Sequence, residues 1–162
     1  MHMEHDMDRL LTMSDEIWEN SIIPSLSEFI AIKALSPLFE PDWRELGELD
    51  ATIDLFCKWV ETQNLDGMTY SVHRIEDRSP VLLITVEGTG PGEIVFYSHL
   101  DKQPSKPELW SEGLGPLRAV RRDQWLFGRG SIDDGYGGYL CVAALKILQN
   151  SNIPHPKCSF LI

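Results

Sequence analysis

Residues 94–101 read Ile-Val-Phe-Tyr-Ser-His-Leu-Asp, an apolar run of strand length that ends in two polar residues one position apart. The run 94–97 predicts a buried strand. It delivers His99 and Asp101 at its carboxyl end, and its continuous apolarity places it at the centre of a sheet. Side chains two apart on an extended chain share a face, so His99 and Asp101 point the same way. A metal-bound imidazole usually gives its other N–H to a carboxylate, which fixes the tautomer. The spacing therefore supplies a ligand and its clamp.

Downstream, residues 128–135 read Gly-Arg-Gly-Ser-Ile-Asp-Asp-Gly, between a short apolar segment and a helical pattern. Asp133 and Asp134 have two readings at such a junction. An aspartate before a helix accepts from its free N–H groups and suits its dipole; an acid at a strand-to-helix turn also faces a ligand. Residue types alone leave both open.

Taken together, His99 and Asp101, then Gln103 and Pro104, then Leu109 and Trp110, then the turn 128–135 resemble the di-zinc metallopeptidases that include carnosine dipeptidase, glutamate carboxypeptidase, aminoacylase and acetylornithine deacetylase. The resemblance implies an α/β fold, a three-layer αβα catalytic domain with a mixed sheet. It implies His99 as a zinc ligand, Asp101 as the catalytic carboxylate that clamps it, and Asp133 as the acid bridging two zinc ions, with cobalt or manganese as alternatives. Asp134, Gly130 and Gly135 take supporting roles, and the peptide bond after Asp133 is expected to be cis. The implied activity is metal-dependent hydrolysis of dipeptides or N-acyl amino acids, in a family whose members are often homodimers. Two departures stand out. Lys102 follows the aspartate where a small apolar residue is usual, and Gly135-Tyr136 follows Asp134 where many members have lysine and glycine.

The family's proton-transferring glutamate and its three remaining ligands would fall beyond Ile162. Residues 14–162 are therefore expected to be the N-terminal part of the catalytic domain, after a mobile segment 1–13 and without the lid and dimerisation domain. A chain of that extent is expected to bind zinc weakly or not at all and to be inactive. A non-catalytic remnant or interaction module is the alternative.

Composition sets outer bounds. The formal charge of −11 and pI near 4.8 argue against a nucleic-acid or anionic-membrane surface, since both need clustered cations. With 162 residues and 43% hydrophobic content, the chain suits one globular domain. Cys57, Cys141 and Cys158 are odd in number and lack metal-knuckle spacing, so reduced thiols and a cytoplasmic location are expected.

The remaining pattern is helical from a cap at Ser14, with Ile17, Ile22, Leu26, Phe29 and Ile30 forming a stripe interrupted at Pro24. A second helix is expected from Asp42, with Leu46, Leu49, Ile53, Phe56, Trp59 and Val60 on its apolar face. Strands follow at 68–75 and 80–87, and His73 reads as solvent-facing. Residues 88–92, Gly-Thr-Gly-Pro-Gly, lack the Lys-Ser/Thr ending of a phosphate loop and read as a hairpin turn. A short hairpin over 117–127, a largely buried helix over 139–148 and a strand from Cys158 complete the chain. That last strand is expected to present 160–162 as an unpaired apolar edge. His2 and His5 offer nothing more than adventitious metal ligands.

Overall fold

The computed structural model describes residues 2–162, with side chains described from Met7 onward; the His2 and His5 imidazoles fall outside that description. The helices are α1 (His2–Ile17), α2 (Ile23–Ala31), α3 (Trp43–Leu46), α4 (Glu48–Thr62) and α5 (Gly135–Asn150). The strands are β1 (Met68–His73), β2 (Val81–Val86), β3 (Glu93–Tyr97), β4 (Val120–Arg122), β5 (Trp125–Phe127) and β6 (Lys157–Leu161). Helix starts three times earlier than, or apart from, where the pattern puts them. Helical structure begins at His2, so Ser14 lies inside α1 rather than capping it. The helix expected from Asp42 is broken at Gly47, whose left-handed φ of 66° ends α3. Helix α5 starts at Gly135, four residues before its apolar pattern does.

The expected interruption at Pro24 is a π turn over Trp18–Ile22. Proline has no N–H and its ring collides with the carbonyl four residues back. Widening the preceding turn relieves this: the Ile23 N–H bonds Trp18 O, and Pro24 sits in the first turn of α2. Leu26, Phe29 and Ile30 then face the interior.

The main sheet has the order β1-β2-β6-β3, with β3 parallel to β6 and the other neighbours antiparallel. This mixed α/β architecture is the expected fold class, but β3 is an edge strand rather than the centre. Strand β6 lies between β2 and β3, so the strand expected to be an open edge is an interior one. The glycine-rich connection 88–92 is accordingly no hairpin turn. It steps across the entry to β6: Gly90 N–H bonds His155 O at 2.9 Å, and a Cβ on Gly88 would run into the His155 and Pro156 backbone. Close approach, rather than a tight turn, is what this glycine provides.

One face of the sheet carries Leu82, Ile84, Val86, Cys158 and Phe160, all buried against α2, α4 and α5 in one core. Tyr139 of α5 stacks edge-on to Phe56 and also meets Trp59 of α4. Its hydroxyl is satisfied by Ser25 Oγ at 2.9 Å, and burial pushes its pKa up to about 12. The other face is more open. Strand pairing sets Leu83, Leu161 and Tyr97 in one row across it, and Val95 and Tyr97 are 69% and 72% exposed. The expectation that 94–97 is buried thus fails because β3 is paired on one side and covered on one face.

This topology separates two substitutions. Phe160→Ala should destabilise by about 3–5 kcal/mol, the usual cost for a buried phenylalanine. Val95→Lys should change stability by no more than about 0.5 kcal/mol while lowering self-association at the exposed strand. Urea unfolding and size-exclusion chromatography check the pair.

Candidate metal centre

The chain leaves the sheet at Tyr97, and the next four residues form one wall of the site. His99 Nδ1 stands 3.1 Å from Asp101 Oδ1 and 3.0 Å from Asp101 O. Both partners are acceptors, so Nδ1 carries the proton they share, and Nε2 is the nitrogen turned away from Asp101. On its other side, Nε2 is 3.6 Å from Asp133 Oδ1. The structure therefore brings His99, Asp101 and Asp133 together, across a sequence gap of more than thirty positions.

Asp134 joins the two walls. Its Oδ2 accepts from the His99 backbone N–H at 3.2 Å, and its carbonyl accepts from Ser98 Oγ at 3.3 Å and from the Gly137 N–H at 2.9 Å. The side chain thus turns back to the strand end, while the carbonyl closes the first turn of α5. The Asp133–Asp134 peptide is cis, as expected.

The glycines of the turn are seated on α2. Gly130 has φ of 88°, and a Cβ there would lie 2.7 Å from Phe29 and 2.9 Å from Lys102. Gly135 is likewise packed on the Phe29 ring, with Gly130 O only 2.6 Å from where its Cβ would be. Arg129 draws the opposite loop in: its Nε donates to Gln103 O at 3.2 Å, and its guanidinium lies 3.8 Å from Asp133 Oδ2.

Lys102, a departure in the sequence, is the feature sequence reasoning missed. It is 2% exposed and turns away from solvent to the carboxyl end of α2. Its ammonium donates to Phe29 O at 2.7 Å, and to Ile32 O and Ile30 O, and lies 4.1 Å over the Phe29 ring. The backbone joins at the same place, with Lys102 N–H to Ala34 O at 2.8 Å and Ser36 N–H to Lys102 O at 2.9 Å. Burial pushes its pKa down to about 8, which still leaves it charged at neutral pH. The one sequence signal was a lysine directly after Asp101, where a small apolar residue is usual.

The donor set fits zinc. Two ligands each about 2.1 Å from one tetrahedral ion stand roughly 3.3–3.6 Å apart, which is the His99–Asp133 spacing. The imidazole is also held by the second partner that metal-bound histidines use. Among the described residues, no group of three or more histidine, cysteine, aspartate or glutamate side chains is assembled around a common point. His99 and Asp101 line a cavity of about 350 Å³, and Asp133 lines a second one of about 510 Å³.

Known proteins resemble this chain in sequence and in fold. Residues 95–162, which hold every motif above, match the model of peptidase family M20/M25/M40. An uncharacterized metallohydrolase of Methanocaldococcus jannaschii is 26% identical over 136 residues, 81% of this chain and 32% of that protein. Among solved structures, human carnosine dipeptidase 1 superposes with a TM-score of 0.69 at 21% identity, over 94% of this chain and 33% of its own. The Saccharomyces cerevisiae dipeptidase Dug1p gives 0.70 at 16% identity over 94% and 33%. The M20 family metallo-carboxypeptidase Sso-CP2 of Sulfolobus solfataricus gives 0.71 at 20% identity over 88% and 30%. The resemblance to these peptidases is thus shown, in the motif-bearing segment and in the fold. The chain spans about a third of the length of each of these proteins.

Lys102→Met should cost about 1–3 kcal/mol at pH 7, because it leaves buried carbonyls without their donor. Its pH dependence has a definite sign. Unfolded, the lysine titrates at its ordinary 10.5; folded, at about 8. Between these values the unfolded chain holds a proton that the folded chain has released. Stability from this group therefore rises with pH from about 8 to 10.5. Burial raises the Cys57 thiol to about 11 and Tyr139 to about 12, which pulls stability the other way at alkaline pH, so the readout is a difference: the urea midpoint of the parent should gain on that of the methionine variant between pH 7.5 and pH 10.

Proposed function

We propose that this chain provides the metal-binding wall of a zinc-dependent amide hydrolase acting on dipeptides or N-acyl amino acids. The observation that carries the reading is the His99–Asp133 pair, 3.6 Å apart, with the far side of the imidazole secured by Asp101. His99 and Asp133 would hold the metal. Zinc bound there supplies a Lewis acid and lowers the pKa of water for attack on an amide carbonyl.

The chain's own residues do the positioning. Asp101 keeps a proton on Nδ1 and orients the ring, so Nε2 is the nitrogen turned to the metal side, and the carboxylate's negative charge makes the imidazole a stronger donor to a cation. Asp134 holds the His99 backbone through its N–H and so keeps the two walls in register. Arg129 beside Asp133 neutralises part of the acid's charge and restrains its rotation. We place the protein in the cytoplasm on its acidic balance and three free cysteines; among the described residues no helix is long and apolar enough to cross a membrane.

Cobalt titration followed by d–d absorption, backed by calorimetry with zinc, tests the proposal. Binding should be present and weaker than at a complete three-ligand site. His99→Ala and Asp133→Ala should each abolish it, whereas Asp101→Asn should weaken it by roughly 10–100-fold, as loss of an outer partner does. Binding that survives both alanine substitutions contradicts the assignment.

A further inference from the structure

The second cavity bears on what the site accepts. It opens beside Asp133 and holds about 510 Å³, within the range of small-molecule sites. Its wall is unusually aromatic. Trp18 enters from the π turn, Trp110 from the loop after Leu109, Trp125 from β5 and Tyr136 from the first turn of α5, over a floor formed by the buried Leu26. Three of the five tryptophans in the chain meet here. Trp125 and Ile132 at its rim are each 71% exposed, a large apolar area left against water beside a polar site.

Charge narrows the occupant. The charged side chains lining the cavity are Arg129 and Asp133, and they face one another at 3.8 Å. A charged side chain entering would lose its water against an otherwise apolar wall, with Arg129 held by Gln103 O and Asp133 turned to the metal side, which is costly. An apolar one would lose only unfavourable hydration.

We infer that this cavity is the subsite for a large apolar side chain, aromatic or branched aliphatic, adjoining the amide to be cleaved. The inference rests on the amide-hydrolase reading for its orientation: an amide held at His99 and Asp133 has Asp133 at the cavity's edge, so the neighbouring side chain has this cavity to enter. Selectivity would come from tryptophan and tyrosine surfaces rather than from an ion pair.

The test is binding to the full chain, with and without zinc, of the neutral amides of N-acetyl-phenylalanine and N-acetyl-leucine against those of N-acetyl-alanine and N-acetyl-glutamate. Indole N–H signals in nitrogen-15 spectra report the location. The apolar amides should bind at least about tenfold tighter than the alanine amide, in line with what extra hydrocarbon gains in an apolar pocket. They should shift the indoles of Trp18, Trp110 and Trp125 and leave Trp43 and Trp59 in place. Trp110→Ala should reduce the phenylalanine amide to the alanine level with an unchanged melting profile. If that variant does not fold, the exposed Trp125→Ala decides in its place. Equal affinity for all four amides, or shifts confined to Trp43 and Trp59, would overturn the subsite. Failure of the parent reading looks different: zinc binding independent of His99 and Asp133, with the apolar preference intact, removes the hydrolase centre and leaves the apolar site standing. Zinc bound at those residues without the preference removes the subsite alone.

Discussion

The ammonium of Lys102 among the last carbonyls of α2 is the contact on which the arrangement of this site depends. A helix leaves its final carbonyls without partners, and its partial negative end favours a cation. Here that cation arrives from a loop some seventy residues downstream, directly after Asp101. The loop's backbone then bonds the chain leaving α2 in both directions. Gly130 packs on the same lysine and on the same Phe29 ring. One buried side chain thus fixes α2, the wall carrying His99 and Asp101, and the turn carrying Asp133 against one another.

On that support, the chemistry of the site follows from the placement of acceptors. Every partner of His99 Nδ1 is an oxygen without a proton to give, so Nε2 is freed towards Asp133. Asp134 faces the other way and serves the backbone. Two adjacent acids thereby take different tasks, one open to solvent and a ligand, the other locking a strand end to a helix start. The sheet carries this junction at its edge, where β3 ends beside α5.

How much of this could be read from residues differs by element. Patterns with a local cause were legible: the apolar spacing of Ile53, Phe56 and Val60 in α4, the strands at 68–75 and 80–87, and the hairpin of β4 and β5. The order of strands was not, because β6 inserts between β2 and β3 through pairing that depends on segments far apart in sequence. Burial of 94–97 was misjudged for the same reason, since apolarity does not say how many neighbours a strand has. In the site, the closeness of His99 and Asp133 followed from family resemblance rather than from their spacing. Lys102 was opaque because a lysine reads as solvated unless a set of free carbonyls is known to lie within reach, and those carbonyls belong to a helix whose end is set by tertiary contacts. Gly130 and Gly135 were expected in supporting roles, but nothing in the sequence says that Phe29 is what they pack against.

The central claim is that Asp101 holds the His99 proton on Nδ1 and so presents Nε2 to a metal shared with Asp133. Long-range proton–nitrogen spectra of the imidazoles, recorded through a zinc titration, test it most directly. The account predicts a Nδ1–H tautomer for His99 before zinc is added, and a zinc-dependent shift at His99 Nε2 that leaves His73 and His155 unchanged. A Nε2–H tautomer for His99, or a zinc response confined to other histidines, would contradict it.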